Sequence, residues 1–173
     1  MFQCLGERLT QRQRIEITVP SLKKAAVLVP LYRDQDQSVG IVFIQRTEHM
    51  SHHRGQISFP GGAMQEEDLD LEATALRETK EEIGLPPHDV RLLGRLDDVQ
   101  THSSQFLITP IVGEIPPSYP YSINPNEVAR IITSPLHDLN VRQGTRGREY
   151  WIGQVCVWGA TARILTKLLT FLE

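Results

Sequence analysis

Three glutamates, Glu78, Glu81 and Glu82, stand at i, i+3 and i+4 in the run Arg77-Glu78-Thr79-Lys80-Glu81-Glu82-Ile83. At about 100° per residue this spacing places the three carboxylates on one helix face within about a turn. Like charges so arranged repel in an isolated helix, and a divalent cation removes that cost. Hard carboxylate oxygens with no cysteine nearby select Mg²⁺ or Mn²⁺ over zinc, and Mg²⁺ held by few carboxylates keeps positions open for substrate phosphates. Pro60-Gly61-Gly62 precedes the helix. A glycine-rich turn there lets backbone amides and carbonyls approach a metal or phosphate. Arg77, adjacent to Glu78, can orient a carboxylate through a bidentate ion pair. Taken alone, the acids also fit a solvated acidic helix face; the glycines and Arg77 give them a chemical purpose.

The helix carrying these acids is expected over Leu69–Ile83, capped by Asp68, closed by Gly84 and stopped by Pro86-Pro87. Leu69, Ala73, Leu76 and Ile83 form its apolar stripe, roughly opposite the acids. Buried strands are expected at Ala25–Tyr32 and Val39–Gln45, joined by the polar turn Arg33–Ser38, with Pro30 marking an edge or a bulge. Further strands are read at Val90–Leu96, Phe106–Glu114 and Glu127–Thr133, with a helical turn at Leu136–Leu139. Tyr150–Ile152 and Val155–Val157 can pair across Gly153-Gln154, and a terminal helix spans about Ala160–Phe171. Ile15–Val19 alternates like a short edge strand in an otherwise peripheral segment, residues 1–20. With neither repeats nor a linker, residues 1–173 read as a single mixed α/β layered domain.

Composition narrows the function classes. Of 173 residues, 40% are hydrophobic and 23% charged, enough apolar content for a sizeable core. Eighteen Lys+Arg against 21 Asp+Glu leave a formal charge of −3, which argues against a general nucleic-acid-binding surface. No apolar run approaches the roughly 20 residues of a bilayer span, and Met1–Arg14 lacks a hydrophobic signal core. Cys4 and Cys156 are too few for a disulfide scaffold and point to thiols in a cytoplasmic protein.

The segment Arg77-Glu78-Thr79-Lys80-Glu81-Glu82-Ile83-Gly84-Leu85 resembles the second half of the Nudix hydrolase box, GX5EX7REUXEEXGU, with Thr79 at an apolar (U) position. The first half departs: the box's first Glu falls on Leu69, between Asp68 and Asp70. The Gly62-to-Arg77 interval is one residue longer than in the common box, as in a branch that resembles the coenzyme A pyrophosphatases. Their signature, LLTxR-S-x3-R-x3-G-x3-FPGG, is similar to Phe43–Gly62, where Arg46 and Gly55-x3-Phe59-Pro60-Gly61-Gly62 match and Ser51 replaces the second Arg. Additional similarity runs through Thr109–Gly113, Asn126-Glu127-Val128 and Trp158–Leu165, so it covers about residues 25–170.

The resemblance implies a Nudix fold, an α/β/α sandwich around a mixed β-sheet, with its box at about residues 61–85. It implies a pyrophosphatase that attacks a diphosphate with water, using Mg²⁺ or Mn²⁺ held by Glu78, Glu81 and Glu82, with the Gly62 carbonyl as a further ligand. Arg77 would orient these carboxylates. Glu78 is the first choice of general base and Glu127 the second, Glu127 also reading as a plain strand-edge acid. The substrate implied is coenzyme A or acyl-coenzyme A, cut to 3′,5′-ADP and (acyl-)4′-phosphopantetheine. Arg46, Arg54, Gly61 and Gly62 would contact it, within a basic patch that includes His52 and His53. His49, His52 and His53 lack the further ligands a zinc site requires. Trp158 reads as core. A Nudix diphosphatase for ADP-ribose or a nucleoside triphosphate is the alternative enzyme, and a nucleotide-sensing binding module the non-enzymatic one. The apolar terminal helix could pack within the chain or across a homodimer.

Overall fold

The computed structural model describes residues 1–48, 55–101 and 105–172. In chain order the elements are α1 (Phe2–Gln11), β1 (Lys23–Arg33), β2 (Val39–Arg46), β3 (Ile57–Ser58), β4 (Gly61–Ala63), α2 (Leu71–Ile83), β5 (Arg91–Arg95), β6 (Val99–Gln100), β7 (Phe106–Glu114), β8 (Val128–Pro135), β9 (Asn140–Gly144), β10 (Gly147–Ile152), β11 (Val155–Val157) and α3 (Gly159–Leu172). Short 3₁₀ turns lie at Pro87–Asp89 and Leu136–Asp138.

Among the described residues β1 to β8 form one mixed sheet and β9 to β11 a second, antiparallel one. β1 runs through the middle of the first. It pairs parallel with β7 along its length, from Lys23↔Phe106 to Leu31↔Glu114. Its other edge pairs antiparallel with β4 at Ala25–Val27 and with β2 at Leu31–Arg33. Pro30 is therefore neither at a sheet edge nor in a bulge, as its lack of a donor suggested. The Leu28 amide donates to the Pro60 carbonyl at 2.8 Å. By strand alternation Pro30 faces that same side, in the gap where β1 leaves β4 and joins β2, so no ladder hydrogen bond is lost.

Side chains alternate across β1 and separate two cores. Ala26 and Leu28 pack with Val42, Ile44, Ala75, Ile83 and Leu85 under α2. Val29 and Leu31 point the other way, into a core built with α1 and α3. A mixed sheet flanked by helices on both faces, an α/β/α sandwich, is the result. The apolar face of α3, with Ile164, Leu165 and Leu168 buried, is satisfied within the chain.

Several local expectations are corrected. The first residues form a helix, α1, because Phe2, Leu5 and Leu9 share one face and are buried. No strand forms at Ile15–Val19. Its backbone donors go to carboxylates instead: Ile15 N–H to Asp97 Oδ1 and Ile17 N–H to Asp98 Oδ2, both at 3.0 Å. The glycine turn before α2 is a short strand, β4, and β9 extends the expected terminal hairpin. α2 starts at Leu71, two residues later than expected, and its cap is Asp70, whose side chain accepts from the Ala73 amide. The supposed apolar stripe is also rotated. Leu69 is 96% exposed, and α2 buries Thr74, Ala75, Thr79, Glu82 and Ile83. Thr79 fits there because its hydroxyl donates to the Ala75 carbonyl at 2.6 Å.

Candidate active site

The acids are placed by α2 and by β4, which pairs with β1 in the sheet beneath it. Gly61 has φ +150°, and a Cβ there would come within 2.3 Å of the Ala26 carbonyl oxygen, so only glycine lets β4 lie against β1. Its N–H donates to Glu82 Oε2 at 2.9 Å. At Gly62 a Cβ would stand 2.5 to 2.6 Å from the Glu78 carboxyl atoms, so the missing side chain is the space Glu78 occupies.

Glu82 is 1% exposed, a correction to the picture of three displayed acids. Burial pushes its carboxyl up to about 8. The Gly61 N–H and Arg46, whose Nη1 lies 3.7 Å from Glu82 Oε1, oppose that rise, while the charges of Glu78 and Glu127 add to it. Glu78 is also raised, chiefly by burial and then against the stabilising pull of Arg77, with Glu81 and Glu127 raising it further. Glu127 sits just before β8, its carboxylate accepting from Asn124 Nδ2 at 3.1 Å and its carbonyl accepting from the Thr47 amide. Acids far apart in the chain thus share one electrostatic neighbourhood, with Glu81 at its exposed margin.

Arg77 organises this group. Its Nη1 donates to Glu78 at 2.8 Å and to Glu81 at 3.2 Å. Its Nε and Nη2 grip both oxygens of Asp68 at 2.8 and 3.0 Å, and Nη2 also reaches the Ala63 carbonyl. Asp68 accepts in addition from the Gln65 amide and the Thr74 hydroxyl, both at 2.9 Å. The carboxylate that anchors Arg77 is therefore Asp68, and Leu69, where the family box has Glu, faces solvent.

These groups open onto a cleft of about 1090 Å³. Glu78, Glu82, Glu127, Arg46, Gly61 and Gly62 line it, and Glu81 does not. The rest of the wall comes from β3, β7, the β9–β10 turn and the start of α3, including Phe59, Phe106, Arg146, Arg148 and Trp158. Arg46 Nε and Ser58 Oγ are buried without a hydrogen-bond partner. Trp158 is half-buried on the cleft wall, not in the core as expected. Arg54, with His49, Ser51, His52 and His53, lies outside the described residues. Sequence reasoning misses Arg146 and Arg148, although Arg142, Arg146 and Arg148 already crowd seven residues, and it gives Asp68 only the role of a helix cap.

The donor set tests the fit of a divalent cation. Among the described residues no three acidic, His or Cys side chains already form a closed metal-binding group. Arg77 holds Glu78 and Glu81, and the Gly61 N–H holds Glu82. The chemistry fits nonetheless. All donors are hard carboxylate oxygens, and the half-buried Glu78 and buried Glu82 stand with Glu127 in one neighbourhood where Arg77 and Arg46 oppose only part of the rise in their proton affinity.

Comparison with known proteins gives the family. The NUDIX domain family matches residues 22–152. Relatives include the uncharacterized Nudix hydrolase NudL of Escherichia coli O7:K1, 38% identical over 158 residues, covering 84% of this chain and 81% of that one. NudL of Salmonella dublin is 39% identical over 179 residues, covering 96% and 88%. Two solved structures share the fold at 17% identity and TM-score 0.59. One is a MutT/nudix family protein from Enterococcus faecalis (96% of this chain, 68% of that one), the other the NUDIX domain of Shewanella oneidensis NrtR bound to ADP-ribose (95% and 92%). The chain belongs to the Nudix hydrolase family, enzymes that cleave diphosphate linkages and generally use divalent metal ions. Among the described residues no helix is long and apolar enough to cross a membrane.

Proposed function

We propose that this Nudix hydrolase cleaves the diphosphate of coenzyme A or an acyl-coenzyme A, giving 3′,5′-ADP and (acyl-)4′-phosphopantetheine. The observation that carries the reading is the convergence of Glu78, Glu82 and Glu127 in a cleft large enough for a long substrate and lined elsewhere by arginines and aromatic rings. The Phe59-Pro60-Gly61-Gly62 turn and Arg46, which resemble the coenzyme A branch, form part of that same cleft.

Glu78, Glu81 and Glu82, with the Gly62 carbonyl, would hold Mg²⁺ or Mn²⁺. When bound, the cation neutralises phosphate oxygens and acidifies water. The chain supplies the rest. Arg77, fixed by Asp68, keeps Glu78 and Glu81 oriented. Arg46, on the cleft wall, offers its guanidinium to the diphosphate. Glu78 takes the proton from the attacking water, a role its raised affinity for protons suits, with Glu127 the second candidate. Oxygen–phosphorus bond formation to water and rupture of the bridging P–O bond leave two phosphomonoesters.

The test is incubation of purified protein with coenzyme A and Mg²⁺ or Mn²⁺, beside ADP-ribose and a Glu82→Gln control, with products resolved chromatographically. The expected result is 3′,5′-ADP from coenzyme A and none with the control. Turnover of ADP-ribose alone overturns the substrate and keeps the chemistry.

A further inference from the structure

The wall formed by the second sheet has a charge opposite to that of the acid cluster. The segment 140–152 carries Arg142, Arg146 and Arg148 against Glu149 alone, in a chain of net charge −3. Arg146, in the β9–β10 turn, and Arg148, on β10, both line the cleft. Arg146 is held from two sides. Its guanidinium lies 4.2 Å from the centre of the Trp158 ring, and its Nε lies 3.7 Å from Oε1 of the buried Glu149. Stacking and charge together pre-position a planar fork suited to phosphate oxygens. Among the described residues no acceptor takes a hydrogen bond from its terminal nitrogens.

Arginines also stack on Phe171, Phe2 and Trp151, but neither member of those pairs lines the cleft; Arg146 and Trp158 form a stack in which both do. The acid cluster, for its part, cannot bind a second anion by itself, because its charge repels any phosphate not bridged by a cation. A substrate with a phosphomonoester besides its diphosphate therefore needs a separate cationic contact. We infer that Arg146, braced by Trp158 and Glu149 and assisted by Arg148, is the specificity determinant that binds the phosphomonoester of the substrate's nucleotide. The inference deepens the coenzyme A reading and rests on it, since that substrate carries such a group at its ribose 3′ position.

The experiment compares coenzyme A with 3′-dephospho-coenzyme A, which shares the diphosphate and the pantetheine arm. Arg146→Gln/Arg148→Gln is expected to lower kcat/KM for coenzyme A about tenfold or more, through KM, as loss of charge-assisted hydrogen bonds requires. It should leave the dephospho substrate within about twofold, and Trp158→Leu should reproduce part of the loss. Equal losses on both substrates, or no loss on coenzyme A, overturn the assignment. Calorimetric binding of 3′,5′-ADP and of 5′-AMP, without turnover, separates the two readings. Tighter binding of 3′,5′-ADP that disappears in the double variant upholds the anchor even if coenzyme A is not cleaved. The absence of such a preference overturns it even if coenzyme A is.

Discussion

Asp68 is the residue whose removal most directly tests how the site is built. Its two oxygens take a fork from Arg77 at 2.8 and 3.0 Å, together with the Gln65 amide and the Thr74 hydroxyl. Asp68→Asn keeps the shape but offers one acceptor oxygen and turns an amide NH₂ toward a guanidinium that can only donate. Each hydrogen bond to a charged group contributes about 1.5–3 kcal/mol, and breaking a buried pair costs about 3–5 kcal/mol. Arg77, with 22% of its side chain exposed and Glu78 and Glu81 still in reach, recovers part of this. The expected loss is about 2–3 kcal/mol, a fall of roughly 1–1.5 M in urea midpoint at a slope of about 2 kcal/mol/M. Asp68 is held well below the usual carboxylate range, first by its Arg77 hydrogen bonds. A depressed acid contributes fully above its unfolded value of about 3.9 and loses that contribution as pH falls below it. The deficit of the variant should therefore be constant from about pH 5 to 8 and shrink below about pH 4. Released from Asp68, Arg77 is free to settle deeper on Glu78 and Glu81, so half-maximal diphosphatase activity should require more Mg²⁺ or Mn²⁺. A midpoint within about 0.2 M of the parent, with unchanged metal demand, would refute the reasoning.

Glu82→Gln should abolish diphosphatase activity yet leave thermal stability equal or higher, because it removes a buried charge while keeping an acceptor for the Gly61 N–H. The raised carboxyl of Glu82, about 8, makes the metal-free protein lose stability as pH climbs from about 4.3 through 8; melting curves should show this slope in the parent and a flatter one in the variant. Gly61→Ala and Gly62→Ala should separate fold from function. The first pushes a Cβ against the Ala26 backbone from a positive φ and should lower the urea midpoint, whereas the second displaces only the Glu78 side chain and should lower kcat with the fold intact. Leu5→Ala, which empties a buried site under α1, should cost about 2–4 kcal/mol in urea unfolding without changing KM.

The elements most legible in the sequence are those with a clean period. Ala25–Tyr32 and Val39–Gln45 are apolar enough to read as buried strands, and Gly84 with Pro86 marks the end of α2 without ambiguity. α1 escapes notice because Phe2, Leu5 and Leu9 are scattered among polar neighbours; only their i, i+3, i+7 spacing betrays a buried face. The start of α2 is misread because Asp68 and Asp70 are equally good caps locally. Arg77, nine residues on, claims Asp68 and leaves the cap to Asp70. The acids are found by type and spacing, but the burial of Glu82 is not, since it depends on β4 closing over α2. The pairing of Arg146 with Trp158 joins a turn to the residue before a helix, and no periodicity links the two.

A buried carboxylate such as Glu82 is tolerated only where something offsets its desolvation. Here Gly61 gives one N–H and Arg46 a guanidinium at 3.7 Å, while Glu78 and Glu127 work in the opposite direction. Three of the four influences besides burial come from residues that line the cleft through backbone strands fixed elsewhere in the fold: Gly61 on β4, Arg46 at the end of β2, Glu127 just before β8. Registers along β1 and β2 thus determine how much negative charge the site holds at neutral pH. The same sheet that stabilises the sandwich keeps the acids close enough for each to raise the other's proton affinity. That is a physical reason for Gly61 and Gly62 to be backbone elements of the sheet: a turn free to move would let the acids separate and lose the site.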